Sequence, residues 1–351
     1  MSEPVVQHGR GAPGNPTGRF ERLAMVSEPV DDFDERPPKT TELLRDTSKT
    51  ILTTNDSPDV PMDVSVNPYR GCEHGCIYCY ARPYHEYLGL SAGVDFESRI
   101  FVKENAAALL RKALSAKSWT PQVIGFSGVT DCYQPIERRL KLTRACLEVL
   151  VEFRNPVAVI TKSHTVTRDI DLLRELAAHG AAHVMLSVTT LDDHLAGVME
   201  PRASRPARRL DAIRALSAAG VPVGVMVAPI IPGLTDHEVP DILKAAADAG
   251  ALTAGRTVVR LPHGVKELFA DWLQAHMPDR KDKVLNRLRA MRHGKLNEST
   301  FGTRMTGDGP FADSIHQMFD LHRRRLGLTK RIEISTAAFR RPAGPQPSLF
   351  D

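Results

Sequence analysis

The sequence has little of what defines several large classes of protein. Five cysteines in 351 residues are too few for a scaffold stapled by disulfides. Lysine and arginine outnumber aspartate and glutamate only by 46 to 42, which excludes a dedicated polyanion-coating protein. The thirteen histidines form no HExxH pattern, and none is assigned a catalytic role. The composition that remains, 42% hydrophobic and 25% charged, is typical of a globular protein.

Neither an export signal nor a membrane span is expected. The stretch MSEPVVQHGRGAPG has no apolar core and no cleavage-site pattern. One uncharged window, 215–235, is long enough to be weighed as a membrane span, but its prolines and glycines divide it into a helix end, a strand and a turn. We therefore expect a cytoplasmic protein without membrane contact, in which clustered cysteines bind metal rather than each other.

Three cysteines and five of the six tyrosines fall in one short segment. Cys72, Cys76 and Cys79 lie within eight residues, and the tyrosines lie in 69–87. Glycines in the segment allow three thiolates to curl around one centre, and soft thiolates select zinc or an iron–sulfur cluster. In a four-iron cluster, three cysteines leave one iron free to bind a substrate or cofactor. In the zinc alternative, His74 completes a Cys₃His site.

From about residue 63 the sequence alternates between short apolar runs and amphipathic helical stretches. Six such units predict a parallel α/β sheet with right-handed crossovers, and six are too few for the eight of a full barrel. We therefore predict a partial (β/α)6 TIM-like barrel. The predicted strands are Asp63–Val66, Gln122–Ser127, Val157–Thr161, His183–Val188, Val221–Ala228 and Thr257–Leu261. The predicted helices are Glu104–Ala116, Arg138–Phe153, Arg168–His179, Arg205–Ala219 and Asp236–Ala249.

The two ends of the chain differ from this alternation. Residues 1–62 are rich in proline and charge and predict an extended arm, whereas the barrel is assigned to 63–262. Residues 263–340 predict a helical, basic extension with a final short strand at Arg331–Ser335, and 341–351 predict a flexible tail. The reactive site is expected at the carboxyl ends of the barrel strands, where the cysteine segment follows the first strand.

The spacing CxxxCxΦC, with Tyr78 before the last cysteine, resembles the signature of the radical S-adenosylmethionine (SAM) enzymes. The resemblance implies that Cys72, Cys76 and Cys79 ligate a [4Fe-4S] cluster whose fourth iron chelates the amine and carboxylate of SAM. It also implies an external one-electron reductant of the flavodoxin or ferredoxin kind. SAM is then cleaved to methionine and a 5′-deoxyadenosyl radical, which abstracts a hydrogen atom while the protein excludes water.

The stretches GCEHGCIYCYAR, SGVTDCYQPIE and VAPIIPG resemble the spore photoproduct lyase-like branch of that superfamily, as does the Glu200-Pro201 turn with Arg208. This narrower resemblance covers residues 65–260. It implies a role for five further side chains by position. Those implied to contact SAM are Thr130, Lys162 and Ser187, and those implied to form a radical-relaying tyrosine pair are Tyr78 and Tyr80.

One position departs from the lyase pattern. The lyase has a hydrogen-donating cysteine three residues before the aspartate of this loop, where this chain has Gly128. Cys132, directly after Asp131, is the alternative hydrogen donor, expected to face the barrel mouth. The competing interpretation is a buried free thiol. Cys146, in the middle of a predicted helix, is interpreted as packing.

The remaining candidates in and near the cysteine segment have plain structural interpretations. Tyr69, Tyr84 and Tyr87 are interpreted as packing around the cluster. Glu137 is interpreted as a helix cap rather than as a catalytic partner of Asp131.

Two features near the C-terminus point to DNA. A basic run, Arg323–Arg325 with Lys330 and Arg331, suits phosphate contacts, although a solvated helix face explains it equally well. The segment Gln346–Phe350 resembles the QxSLF pentapeptide with which bacterial DNA-processing proteins dock on the replicative sliding clamp. These features and the lyase resemblance favour a radical SAM enzyme that abstracts hydrogen from a nucleic acid, in the repair of DNA lesions or in DNA modification.

Two alternative functions stay open at this point. One is a radical SAM enzyme that acts on a protein or a small molecule. The other is a zinc-stabilised, non-catalytic module that binds DNA or the clamp. Metal analysis separates the second from the enzyme, because a [4Fe-4S] cluster brings about four irons per chain and a zinc site brings none.

Overall fold

A computed structural model describes residues 9–20 and 40–342. The strands of this part are β1 Glu42–Arg45, β2 Leu52–Thr54, β3 Val64–Val66, β4 Tyr69–Arg70, β5 Arg99–Val102, β6 Ile124–Phe126, β7 Val157–Thr161, β8 Ala182–Ser187, β9 Val223–Ile230 and β10 Thr253–Val258. The helices are α1 Val94–Ser98, α2 Ala106–Ser115, α3 Glu137–Leu140, α4 Leu142–Phe153, α5 Ile170–Ala178, α6 Asp193–Met199, α7 Pro206–Ala218, α8 Val239–Asp248, α9 Val265–His276, α10 Pro278–Ala290 and α11 Pro310–Arg325.

The main sheet has the strand order β10-β9-β8-β7-β6-β3-β2. From β3 to β10 all neighbouring strands are parallel, and helices lie in the crossovers between them. β2 adds an antiparallel strand beside β3. Alternate residues of β7 are buried, because one face of each strand meets the barrel interior. The predicted partial (β/α)6 barrel is confirmed.

A second, three-stranded sheet has the order β1-β5-β4. β1 pairs in parallel with β5, and β4 pairs with it in antiparallel fashion. Because β4 ends at Arg70, this sheet leads the chain directly into the cysteine segment. The segment is fixed there by the backbone N–H of Cys72, which donates to the carbonyl of Phe96 at 2.9 Å.

Two large hydrophobic cores support the molecule. The first lies between the main sheet and its helices. The second joins the cysteine segment to the C-terminal helices, since Ile77 and Tyr78 share it with Phe269 and Trp272 of α9 and with Leu288 of α10. The predicted C-terminal extension is therefore helical, and it packs beneath the segment that carries the cysteines.

Three predicted elements differ from the structure. Arg331–Ser335 is not a strand, because the chain there contacts the barrel only through single backbone bonds, such as that from Ser335 N–H to the Gly180 carbonyl at 2.8 Å. The last barrel strand lies earlier than the predicted Thr257–Leu261, since Leu261 packs in the second core. The predicted helix Arg138–Phe153 is divided between α3 and α4, where Lys141 adopts a left-handed φ of 55°.

The predicted arm contains regular structure in its described part. Strands β1 and β2 fall within residues 1–62, and residues 9–20 pack against the rest of the chain. The domain boundaries themselves stay a prediction. Across the described ranges, no helix is both long and apolar enough to cross a bilayer.

Candidate active site

The cysteine segment forms a tight loop after β4. Gly75 adopts a φ of +67°, a region that side chains rarely occupy. A Cβ at this position would lie 2.8 Å from a carboxylate oxygen of Glu97, so the loop could not close as tightly with another residue. In the closed loop Cys72 and Cys76 are buried and Cys79 is half-buried.

The environment of the three thiols is suited to a bound metal centre. Burial raises the pKa of each thiol, and the neighbouring cysteines and Asp131 raise the pKa of Cys72 further. Metal ions reverse this, because a coordinated thiol gives up its proton. Two buried thiols and one half-buried thiol on a single loop are the kind of donor set that an iron–sulfur cluster uses.

The zinc alternative fits this loop less well. His74 is buried, and its Nδ1 lies 3.4 Å from Oδ2 of Asp131. Within residues 9–20 and 40–342, no three His, Cys, Asp or Glu side chains surround a point where a single ion would sit. A four-iron cluster gives each cysteine its own iron and does not require convergence on one point.

A buried ion pair fastens the loop. The guanidinium of Arg82 donates to the carbonyls of Cys76 and Gly75 at 3.0 and 3.2 Å and pairs with Glu97. Glu97 also accepts the backbone N–H groups of residues 11–12 at 3.0 and 2.9 Å. The same carboxylate therefore holds the loop and the N-terminal arm.

The arm lies directly against the loop. A Cβ on Gly11 would come within 1.7 Å of the Gly75 carbonyl oxygen, so only glycine allows this approach. Further along, Ser91 donates its hydroxyl to the Pro16 carbonyl at 2.9 Å. Ala12 packs in the second core with Ile77 and other loop residues. The arm thus covers one side of the cysteine loop.

Asp131 connects three parts of the site. Its Oδ1 accepts from the Thr161 hydroxyl at 2.7 Å and from the Tyr133 backbone N–H at 2.9 Å. Its Oδ2 accepts from the Lys162 backbone N–H at 2.8 Å and faces His74. Asp131 therefore joins the loop after β6, the end of β7 and the cysteine loop, and the partners found for it do not include Glu137.

The side-chain ammonium of Lys162 lies near the cysteine loop. Its Nζ donates to the Ala228 carbonyl at 3.2 Å and lies 5.9 Å from the centre of the Tyr78 ring. Burial lowers the pKa of this lysine, while the charges of Cys76 and Asp131 oppose that shift. A partly desolvated ammonium at this place suits an anionic group bound between the strand ends and the loop.

A second buried carboxylate holds Tyr78. The Tyr78 hydroxyl donates to Glu200 and lies 3.3 Å from the Thr189 hydroxyl. Glu200 pairs with Arg209, which donates to the Ser187 carbonyl at 3.0 Å. Burial raises the pKa of Glu200, and the adjacent guanidinium opposes that shift.

The arginine that pairs with Glu200 lies one position after the arginine that the sequence match identified. The match to the lyase-like branch includes the turn at Glu200 with Arg208, but Arg208 is exposed and forms its ion pair with Asp211. The buried partner is Arg209, which faces inward from α7. Helical periodicity, which places Arg209 with the buried Ala212 and Ile213 on one face, is the signal that could have found it.

The three residues predicted to contact SAM lie at the ends of adjacent strands. Thr130 follows β6 and donates its hydroxyl to the Tyr69 carbonyl at 3.1 Å. Lys162 directly follows β7, and Ser187 is the last residue of β8. Because β6, β7 and β8 are neighbours, these side chains share one edge of the sheet with the cysteine loop.

Cys132 and Tyr80 have different environments. Cys132 is fully buried and packs in the main core, and its carbonyl accepts from the Thr143 hydroxyl at 2.6 Å. Burial in the core fits the interpretation of Cys132 as a packing thiol, and its role as a hydrogen donor stays a prediction. Tyr80 is partly exposed, and its hydroxyl donates to the Gly128 carbonyl at 2.9 Å.

The interpretation of the other tyrosines as packing around the cluster is wrong for Tyr84 and Tyr87, whereas Tyr69 is buried with Ile100 and Val102. Tyr69 is buried and donates to Glu137, whose carboxylate also accepts the Thr143 backbone N–H at the start of α4, in keeping with a cap. Tyr84 and Tyr87 are exposed and do not pack around the loop. They lie in a 3₁₀ helix that extends outward from it.

The basic run lies at and after the end of α11 and is largely exposed, with Arg323 3.7 Å from Asp320. Gln346–Phe350 lies outside the described residues.

The family of the chain follows from its sequence as well as from this geometry. The sequence model of the radical SAM superfamily matches residues 66–246, just over half of the chain. The chain therefore belongs to the radical SAM superfamily. The matched region contains the cysteine loop and the strand ends that carry Thr130, Lys162 and Ser187.

Individual relatives and structures agree with this assignment. An uncharacterised protein of Mycobacterium tuberculosis is 36% identical over 222 residues, 63% of this chain and 65% of the relative's length. The radical SAM Nalpha-GlyT isomerase of Pseudomonas phage M6 is 26% identical over 269 residues, 76% of this chain and 52% of that protein. A spore photoproduct lyase variant with bound AdoMet and dinucleoside spore photoproduct has the same fold, with a TM-score of 0.58, 17% identity, and coverage of 81% and 78%.

Proposed function

We propose that this radical SAM enzyme binds one [4Fe-4S] cluster through Cys72, Cys76 and Cys79 and abstracts a hydrogen atom from a nucleic acid. The observation that carries the proposal is the loop with two buried thiols and one half-buried thiol, which lies beside the strand ends that carry Lys162 and Ser187. When bound, the cluster and SAM supply a 5′-deoxyadenosyl radical after reduction by an external one-electron donor.

The chain's own residues have binding and orienting roles in this proposal. The ammonium of Lys162 is suited to the carboxylate of SAM, and Thr130 and Ser187 lie along the same edge to contact its polar groups. Asp131 accepts the backbone N–H of Lys162 and faces His74, so it holds the end of β7 beside the cysteine loop. The second core beneath the loop and the N-terminal arm beside it exclude water from the thiols.

The cluster is tested by comparing two cysteine variants after anaerobic reconstitution. Cys79→Ala is expected to lose the cluster, measured as iron and sulfide per chain, and to lose cleavage of SAM. Cys146→Ala is the matched control, because Cys146 is buried in α4 away from the loop. Equal iron in both variants, or zinc without iron in the wild type, would contradict the proposal.

A nucleic-acid substrate is supported by two observations of different kind. The structurally similar spore photoproduct lyase is known in complex with a dinucleoside photoproduct. The end of α11 also presents an exposed basic run, Arg323–Arg325. A sliding-clamp partner for Gln346–Phe350 stays a prediction that a pull-down with purified clamp, with and without Leu349→Ala, tests.

The substrate is tested with the reduced, reconstituted enzyme, SAM and ultraviolet-irradiated DNA. We expect 5′-deoxyadenosine and an altered nucleotide that both depend on irradiation. The absence of damage-dependent product across several lesion types would overturn the damaged-DNA proposal. Deuterium transferred into 5′-deoxyadenosine from labelled protein or small-molecule fractions would then identify the other substrate classes.

The tyrosine pair and Cys132 are proposed as hydrogen-transfer residues and are separable by variants. Tyr78→Phe removes the hydroxyl that Glu200 holds, and Tyr80→Phe removes the one that donates to Gly128. If these hydroxyls relay a radical, each variant cleaves SAM but forms less product. Cys132→Ala lowers product in the same way if the thiol donates hydrogen, and lowers only thermal stability if it is a buried packing group.

A further inference from the structure

An exposed strip of aromatic and arginine side chains extends outward from the cysteine loop. This aromatic–arginine strip consists of Arg19, Phe20, Tyr87, Tyr84, Tyr80 and Arg260. Its four rings are exposed by 43% to 67%, and they make up four of the seven large hydrophobic side chains that are exposed in the described part of the chain. Exposed aromatic side chains grouped in this way mark interaction surfaces.

Local structure puts the rings in a row. Arg82–Leu88 is a 3₁₀ helix, in which residues three apart lie on the same face, and this aligns Tyr84 with Tyr87. Their ring centres are 6.4 Å apart, and the Phe20 ring from the arm is 5.3 Å from that of Tyr87. The Arg19 guanidinium lies 5.7 Å from the Tyr87 ring and pairs with Glu86 beneath it.

Among the described residues Arg260 forms no ion pair, although the carboxylate of Asp59 is near enough to act on its charge. Its guanidinium lies 5.6 Å from the Tyr80 ring, and its only hydrogen-bond contact there is from Nη1 to the Met305 sulfur at 3.7 Å. Its Nε is buried without any acceptor. A guanidinium offers five N–H donors in a geometry that fits phosphate and carboxylate oxygens.

The surroundings of Arg260 make it a receptor for an anion. The nearby Arg304 and Arg292 are also cationic, and only Arg304 has a carboxylate partner, Asp59. Asp59 and Glu298 are the carboxylates that act on these three guanidinium groups. Partly buried positive charges that outnumber their carboxylates are costly, and an anion bound between them offsets that cost. Arg260 follows β10, and Tyr80 directly follows Cys79, so the bound anion would lie beside the barrel mouth.

We propose that the aromatic–arginine strip binds single-stranded nucleic acid, with bases on the exposed rings and a backbone phosphate on Arg260. The proposal rests on the proposed function, since it states how the strand would be led to the cysteine loop. Aromatic rings that protrude from a surface stack on unpaired bases, whose faces are covered in a duplex. Arginine beside such rings supplies the charge that follows the phosphate backbone.

Binding to a single strand tests the strip without any catalytic step. The probe is a fluorescein-labelled oligo(dT) of about 12 nucleotides, within the range that a single-strand site covers. Anisotropy is measured anaerobically with the reconstituted full chain. Tyr84→Ala and Tyr87→Ala are each expected to weaken binding about five- to a hundred-fold, because each removes one stacked base. Arg260→Gln is expected to weaken binding and to reduce the slope of log affinity against log salt by about 0.7.

Two matched variants outside the strip serve as controls. Phe311 is an exposed ring with an arginine guanidinium 5.5 Å from its centre, like Tyr80, but it lies on α11. Arg174 is an exposed arginine on α5. Phe311→Ala and Arg174→Gln are expected to keep wild-type affinity, and thermal unfolding checks that all variants are folded.

The outcomes separate this proposal from the proposed function. The proposal would be overturned if Phe311→Ala lost as much affinity for the oligonucleotide as Tyr87→Ala. It would also be overturned if the protein bound duplex DNA as tightly as the single strand. If the protein bound an oligo(rU) probe more tightly than oligo(dT), the binding role of the strip would stand and its ligand would be RNA. Specific single-strand binding without product from damaged DNA would sustain the strip and reject damaged DNA as substrate. If Tyr87→Ala and Arg260→Gln formed product from damaged DNA at the wild-type rate without binding the single strand, damaged DNA would be the substrate. The proposed role of the strip would then be rejected.

Discussion

Glu97 is buried between the cysteine loop and the arm and balances the buried charge of Arg82. Asp131 and Glu200 have comparable positions elsewhere in the site, each with several donors. At the scale of single residues, three carboxylates thus determine how the loop is held. Removing one partner of a buried pair leaves the other charge uncompensated, which costs far more than breaking an exposed pair.

Glu97→Gln is expected to lower the free energy of unfolding by about 3–5 kcal/mol, because Arg82 then has no counter-charge. The measurement is urea denaturation, together with iron retained after reconstitution. Glu42→Gln is the control, since Glu42 forms an exposed pair with Arg99 at 3.5 Å and should cost at most about 1 kcal/mol. Similar losses in the two variants would show that the buried pair does not hold the loop.

His183 provides a pH test away from the site. It lies on β8, its Nε2 is buried without a partner, and burial lowers its pKa to about 4. The unfolded chain binds the proton near pH 6.5, so the folded protein loses stability as pH falls from about 6.5 to about 4. Relative to His183→Leu, the wild type should lose up to about 3 kcal/mol across this window.

The comparison uses urea denaturation at several pH values. His237→Leu, which replaces an exposed histidine, should show the same pH dependence as the wild type. A constant difference between wild type and His183→Leu from pH 7 to pH 4 would show that His183 titrates normally in the folded protein.

Residues 9–20 act as an element although they form neither helix nor strand. Their backbone is held by Glu97, by the Ser91 hydroxyl and by the close approach of Gly11 to Gly75. At this scale the sequence predicts most of the fold, since the strand Val157–Thr161 and the helical stretches follow from periodicity alone. It does not predict the docking of the arm, because Gly11 and Glu97 are 86 positions apart and no local pattern connects them.

The same limit explains what the sequence missed at the site. The cysteine spacing is local and identifies the loop, whereas the choice of Arg209 over Arg208 depends on which face of α7 meets Glu200. The partners of Asp131 likewise come from β7 and the cysteine loop. Local motifs therefore predict the ligands, and long-range packing determines what surrounds them.

Gly11→Ala is expected to release the arm, because its Cβ would overlap the Gly75 carbonyl. We expect faster proteolysis in the arm and faster loss of iron in air than in the wild type. Gly14→Ala is the matched control, since a Cβ there meets no atom within 4 Å. Equal protease sensitivity of the two variants would contradict a docked arm.

At the scale of the whole molecule, the C-terminal helices support the cysteine loop rather than extend independently. Trp272 of α9 is buried, stacks on Phe269 with ring centres 5.8 Å apart, and donates its indole N–H to the Val198 carbonyl at 3.0 Å. The same core contains Ile77 and Tyr78 of the loop. Damage to this core should therefore reach the cluster.

Trp272→Ala is expected to cost about 3–5 kcal/mol of stability through the cavity that it leaves. Phe319→Ala, in the main core, should cost a similar amount and serves as the control. Under conditions where both variants are folded, only Trp272→Ala should retain less iron per chain. Equal iron retention would show that the second core does not support the loop.

The contact of the arm with α9 has a consequence for the order of events during synthesis. Ala12 shares the second core with Trp272, which the ribosome adds 260 residues later. Until α9 has been made, the arm lacks part of the surface on which it rests. We therefore expect the three cysteines to stay accessible from the side of the arm until α9 has been synthesised.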